Sequence, residues 1–245
     1  MIPSVVRLSP GDAIALQPGG PVPVAGPEPS PALFLVHAED LAGEWEGALA
    51  AVLSEEERAR AARFRRSEDR DTYAVTHFAL RLVLGRLLDV APAAVPFTRR
   101  DCPGCGEPHG RPGVSGDPLH FSLSHSEHLG LIAVAATPVG VDVERTAPAE
   151  AAAPLVGSLH PTERAELGAL PGSELPRAFT RTWCRKEAYL KGIGTGLSRP
   201  LSQDYVGATQ EPAAPPGWRI ADVPLEEDDM AAAVAVAVAV HPHHI

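Results

Sequence analysis

Apolar residues recur along this chain in two rhythms, one of period two and one of helical period, and the switches between them outline its elements. Leu33 to His37 is a compact apolar run that reads as a strand. Ser54, followed by Glu55, Glu56 and Glu57, has the form of an N-cap with acids matched to the dipole of a first helical turn. A long helical pattern covers Asp69 to Leu88, with Tyr73, His77, Leu80 and Leu84 near one face, and Pro92 and Pro96 end it. Residues 101–118 read as a Gly/Pro loop. Three successive strands are expected at His120 to Leu123, Leu129 to Ala135 and Val139 to Glu144. Residues 147–157 read as an Ala/Pro connection, followed by helices over Pro161 to Ala169 and Leu175 to Lys191, the second stopped by Gly192 and Gly194. Strands at Asp204 to Ala208, Trp218 to Asp222 and Met230 to Val240 complete an α+β pattern.

The two halves share a faint echo. At an offset of 106 residues, Leu53, Glu57, Arg58 and Ala59 match Leu159, Glu163, Arg164 and Ala165, while Tyr73 falls on Phe179 and Thr76 on Thr182. The echo predicts a pseudo-dimer of two similar α+β halves, 1–137 and 138–245, with a cleft between them.

Composition narrows the function classes. A chain of 245 residues with 44% apolar content can bury an ordinary core, and a net charge of −10 argues against nucleic acid as a partner. The N-terminus has no basic segment leading into an apolar run, so no signal peptide is expected. No apolar stretch reaches the length of a membrane span, and Ala231 to Val240 is too short to be one. The 3 cysteines give no even disulfide framework. A soluble, cytoplasmic monomer is the expectation.

Against 19 arginines stand two lysines, Lys186 and Lys191, both in the segment 183–191. Glu187 lies four residues before Lys191, so at helical spacing the two project side by side; a surface ion pair would do the same. In Val139-Gly-Val-Asp-Val-Glu144 the valines share one strand face, and Gly140, Asp142 and Glu144 share the other. Two carboxylates about 7 Å apart along a strand, without nearby His or Cys, suit a hard ion such as Mg2+, or else a solvated polar face. Ser124 and His125 stand where a strand passes into a turn and can offer donors to an anion. The arginines of residues 58–70 can contact phosphate or lace a helix surface with the neighbouring acids. Cys102-Pro-Gly-Cys105, with His109, is half of a zinc knuckle or simply a turn-rich loop with two thiols.

Three motifs then stand in one order: FSLSHS at 121–126, GVDVE at 140–144 and WCRKEAYLK at 183–191. Together with Arg111-Pro112 and the pattern RF…DR…LR from Arg63 to Arg81, they resemble the 4′-phosphopantetheinyl transferase superfamily, of the type that activates nonribosomal peptide and polyketide synthases. The resemblance implies a single-chain pseudo-dimer with coenzyme A bound between its halves. It implies Mg2+ held by Asp142, Glu144 and Glu187, with Asp142 also at the coenzyme A site. Lys191 falls at the pyrophosphate, Ser124 and His125 at phosphorylated groups of coenzyme A, and Arg60, Arg99 and Arg111 at its nucleotide end. Glu187 and Lys191 are the implied catalytic pair. The implied reaction moves the phosphopantetheine arm to a serine of an apo acyl or peptidyl carrier protein of a polyketide, nonribosomal peptide or fatty acid synthase, releasing 3′,5′-ADP. The rival readings are a Mg2+-dependent nucleotide hydrolase and a zinc-stabilised binding module built on Cys102, Cys105 and His109.

Overall fold

A computed structural model describes residues 5–8, 30–41, 46–107 and 110–238. The N-terminal part runs β1 (Val5–Leu8), β2 (Ala32–His37), a 3-10 turn (Ala38–Leu41), α1 (Glu46–Val52), α2 (Glu55–Ala61), α3 (Ser67–Leu88), a second 3-10 turn (Pro92–Ala94), β3 (Phe97–Arg99), β4 (Pro112–Val114), β5 (His120–Ser126) and β6 (Leu129–Ala135). The C-terminal part runs β7 (Val139–Arg145), α4 (Ala149–Val156), α5 (Pro161–Gly168), α6 (Leu175–Ile193), a 3-10 turn (Gly196–Ser198), β8 (Trp218–Asp222) and β9 (Met230–Ala237).

The first sheet has the order β1-β2-β6-β5 and the second the order β7-β9-β8, while β3 and β4 form a separate ribbon. All pairings are antiparallel except β1 with β2. Alternation then decides the layers. Leu33, Leu35, Leu129 and Leu131 point from the first sheet into one cluster with Val139, Val141, Val143, Val234 and Val236 of the second. Phe34, Val36, Ile132 and Val134 take the opposite face and pack on Val75, Ala79, Val83 and Leu84 of α3. Behind the second sheet, Ala233 and Ala235 meet Cys184, Ala188 and Leu190 of α6. The order of layers is helix, sheet, sheet, helix, and each fully buried Leu or Phe contributes about 1.5–3 kcal/mol.

Two local devices recur at the noted offset. Ser54 Oγ accepts from the Glu57 amide at 3.2 Å while the Ser54 amide donates to Glu57 Oε2 at 2.8 Å. At the start of α5, His160 Nδ1 accepts from the Thr162 amide at 3.2 Å and the His160 amide donates to Glu163 Oε2 at 3.1 Å. Each capping glutamate also grips the following long helix: Arg81 Nε donates to Glu57 Oε2 at 2.7 Å, and Lys186 Nζ lies 2.9 Å from Glu163 Oε2.

The structure departs from the sequence expectations in five places. Residues 147–157 contain α4, whose alanines carry the helix, and Ala152 is fully buried beside Leu159 and Phe179. Asp204 to Ala208 is not a strand. The Val206 and Ala208 amides donate to Glu163 Oε1 at 2.7 Å and Glu166 Oε2 at 2.8 Å, so α5 side chains take the place of a partner strand. The 101–118 loop holds the short strand β4, too brief to show a period. The strand expected to stop at Leu123 continues to Ser126, which keeps Ser124 and His125 inside it. Met230 to Val240 is a strand as far as Ala237, and its last two residues lie outside the described residues.

Candidate active site

Strands β5 and β7 are facing edges of the two sheets, and a row of serines joins them. Ser122 Oγ accepts from the Val141 amide at 3.1 Å, and Ser126 Oγ accepts from the Arg145 amide at 3.3 Å. Between them, Ser124 Oγ donates to Asp142 Oδ1 at 2.8 Å, and Ser126 Oγ donates to Glu144 Oε2 at 3.1 Å. The period of two in Ser-Leu-Ser-His-Ser was the available signal for this row, and the sequence reading used Ser124 alone. Two edge donors of β7 are thereby occupied without a continuous sheet.

Asp142 and Glu144 share the face of β7 that looks away from the valine core, as the alternation predicts. Helix α6 lies directly on this face, because Gly140 has no side chain: a Cβ there would collide with the Ala188 carbonyl and approach the Gly192 amide at 2.5 Å. The close approach brings Lys191 Nζ to 2.6 Å from Asp142 Oδ1 and 3.0 Å from Ser124 Oγ. Asp142 is 1% exposed. Its Oδ2 and Glu187 Oε1 are buried without a hydrogen-bond partner.

The electrostatics follow from burial and crowding. Burial pushes the Asp142 carboxyl up, against the opposing pull of Lys191 and Ser124. Burial and then the Asp142 charge raise Glu144, and the same two causes raise Glu187. Three acids whose carboxyls are each raised by burial, two of them also by the Asp142 charge, with two orphaned oxygens, are a donor set suited to a hard divalent cation. The set is open as it stands, since the three carboxylates do not bring ligand atoms within 4.8 Å of one another.

A cavity of about 670 Å3 opens beside this cluster, and Arg60, Arg99, Ser124, His125 and Lys191 all line it. An adjoining hollow of about 440 Å3 shares Arg99 and adds Arg100 and Arg111. Arg111 donates to the Gly192 carbonyl at 3.3 Å, which ties the end of α6 to the β4–β5 region. Burial, followed by Arg100, lowers the Arg111 guanidinium from its ordinary value. Arg60 lies over the Tyr73 ring at 5.9 Å, and the His125 ring meets Tyr73 edge-on at 5.8 Å. Tyr73, which its spacing places on one face of the long helix, also forms a wall of this cavity. Burial, then His77 and Lys191, push the His125 imidazole down to about 4, so it is neutral near pH 7. Ser124 bonds Asp142 rather than His125, which removes a serine–histidine nucleophile from consideration. A larger cavity of about 980 Å3, bounded by α5, α6 and β8–β9, contains none of the expected site residues.

The rest of the expected chemistry is dispersed. Arg58 is spent on the carbonyls of Ala50 and Leu53. Lys186 is buried against Glu163 and belongs to the core of α6. Cys102 is buried and Cys105 exposed. His109 lies outside the described residues, and among those described no third ligand closes on the two thiols.

A family model described as the 4′-phosphopantetheinyl transferase superfamily matches residues 138–228, a span that carries Asp142, Glu144, Glu187 and Lys191. The 4′-phosphopantetheinyl transferase HetI of Nostoc sp. is 36% identical over 194 residues, which are 77% of this chain and 80% of the relative. The 4′-phosphopantetheinyl transferase Sfp of Bacillus subtilis is 28% identical over 162 residues, 65% of this chain and 68% of the relative. A putative 4′-phosphopantetheinyl transferase, slr0495 of Synechocystis sp., is 32% identical over 158 residues, 62% of this chain and 61% of the relative. The chain belongs to the 4′-phosphopantetheinyl transferase superfamily and is an enzyme of that class. Among the described residues no helix is long and apolar enough to cross a membrane.

Proposed function

We propose that this enzyme transfers the 4′-phosphopantetheine arm of coenzyme A to a serine of an apo acyl or peptidyl carrier protein, releasing 3′,5′-ADP, with a dependence on Mg2+. One observation carries the reading: the ammonium of Lys191 joins a buried acid cluster to a cavity lined by Arg60, Arg99 and His125. Such a site offers cations to a polyphosphate on one side and carboxylates to a hard metal ion on the other.

Asp142, Glu144 and Glu187 are the residues that would hold Mg2+, and the ion would supply charge neutralisation at the pyrophosphate. Arg60, Arg99 and Arg111 fit the phosphates of the nucleotide end. His125 is neutral in the free protein and offers a hydrogen bond; a bound phosphate dianion favours its protonated form. The carrier serine attacks the β-phosphorus, a new Ser O–P bond forms, and the P–O bond to the nucleotide breaks. Lys191 offsets charge growing on the departing phosphate. The serine proton passes to Glu187, directly or through a water.

We further propose that the halves on either side of residues 137 and 138 descend from one duplicated unit. The sheets support this in part: β2 pairs with β6, the last strand of the N-terminal half, as β7 pairs with β9, the last strand of the C-terminal half. The recurring capping boxes add to it.

The test is incubation with coenzyme A, Mg2+ and an apo carrier protein. A carrier mass gain of one phosphopantetheine arm, with equimolar 3′,5′-ADP, is expected. Release of 3′,5′-ADP without a carrier would instead make the chain a hydrolase.

A further inference from the structure

We propose that His37, His128 and Glu227 form a second metal site, selective for a borderline transition-metal dication such as Zn2+, that clamps the two sheets together at one end. Among the described residues this is the one trio of His, Cys, Asp or Glu whose ligand atoms all lie within 4.8 Å of one another. It shares no residue with the acid cluster around Asp142.

The fold fixes all three. His37 is the last residue of β2 and stands opposite Leu129 in the pairing with β6. His128 immediately precedes β6, and its carbonyl accepts from the Ala38 amide at 2.8 Å, so the two histidines sit on adjoining strand ends. Their ring centroids are 5.9 Å apart. Glu227 comes from the other sheet, on the β8–β9 connection, in a turn closed by the Met230 amide on the Glu227 carbonyl at 3.3 Å.

The distances are those of ligands around a common point rather than of a hydrogen-bonded pair. His37 Nδ1 lies 3.8 Å and His128 Nε2 3.9 Å from the same Glu227 Oε1. Both exceed hydrogen-bond range. Two ligands on a tetrahedral zinc at about 2.0–2.1 Å stand about 3.4 Å apart, so each histidine–Glu227 pair closes with a shift of about half an ångström. Glu227 Oε2 is buried with no hydrogen-bond partner, which leaves the second carboxylate oxygen for the same ion. His37 is 8% exposed, whereas the His128 side chain is 39% exposed, so the site is buried on one side and open to solvent on the other. Two imidazoles and one carboxylate disfavour Mg2+ and suit zinc, with a water in the fourth position.

The experiment titrates chelator-treated full-length protein with Zn2+ and, separately, Co2+, in excess Mg2+ to saturate hard-ion sites. The expected result is one zinc per chain in this site and a cobalt absorption band of nitrogen and oxygen ligands, both unchanged in Cys102→Ser. His128→Ala and Glu227→Gln should weaken that binding at least tenfold. Zinc should raise the Tm of the wild type and not that of His128→Ala, while the metal-free melts of the two coincide. No saturable zinc binding overturns the proposal. So does zinc binding that survives His128→Ala and Glu227→Gln, or cobalt bound only through thiolates.

Discussion

Lys191 Nζ and Asp142 Oδ1 meet at 2.6 Å across the contact between α6 and β7, and Ser124 completes the group. Lys191→Ala leaves a carboxylate that is 1% exposed with one hydroxyl as partner. Loss of about 1–3 kcal/mol is expected from the orphaned acceptor, limited by protonation of an acid whose affinity for protons is already raised. Coenzyme A kinetics should show a KM increase of about tenfold or more, for a lost charge-assisted phosphate contact. Chemical denaturation and steady-state assays read the two effects.

Glu187→Gln should separate stability from activity. Burial and Asp142 raise the Glu187 pKa above 4.5, so the folded state binds a proton more readily than the unfolded one. Stability from this group is present at low pH and is lost as pH rises through the folded value. Above that value the charge is a liability, and removing it should raise the Tm without Mg2+ by about 2 °C, after discounting for partial exposure. With Mg2+ the advantage should reverse, since the wild type gains from ligand binding. Transfer should fall below about 1% of wild type if Glu187 is the base. Paired melts with and without Mg2+, beside a transfer assay, check this.

His125 gives the opposite pH sign. Its folded value of about 4 lies below the ordinary 6.5, so between them the unfolded chain holds a proton that the folded chain does not. Stability therefore rises with pH through that window and is lost as pH falls from 6.5 toward 4, by at most on the order of 3 kcal/mol. The difference in urea midpoint between wild type and His125→Phe, followed from pH 7 to pH 4.5, isolates the effect from the acid cluster.

Much of the site was legible because its elements have clear periods. Val139 to Glu144 alternates strictly, so the side of β7 carrying Asp142 and Glu144 followed from the valines. Glu187 and Lys191 followed from helical spacing. Residues 204–208 misled because α5 carboxylates, rather than a neighbouring strand, hold their amides, a long-range arrangement invisible to local pattern. The role of Lys186 was hidden for the same reason, since its partner Glu163 is distant in sequence. The trio of His37, His128 and Glu227 had no sequence signature at all; strand pairing and a turn from the second sheet assemble it.

The Lys186–Glu163 pair is a structural counterpart to the active-site pair. Glu163 also accepts from the Val206 and His160 amides, at 2.7 Å and 3.1 Å. Glu163→Ala leaves a buried ammonium with only the Asp204 carbonyl and strands two amide donors, and a loss of about 3–5 kcal/mol is expected. Activity per folded molecule should be unchanged. Denaturant titration with activity normalised to the folded fraction distinguishes this from a catalytic role.

The missing side chain at Gly140 sets a gauge for the whole centre. It lets α6 rest almost on the backbone of β7, so that the lysine reaches the aspartate at 2.6 Å. Any substituent would act as a wedge, tilting the helix outward and opening the distance between ammonium and carboxylate by more than a rotamer can recover. A combinatorial library aimed at new carrier specificity should therefore hold this position constant and spend its diversity elsewhere.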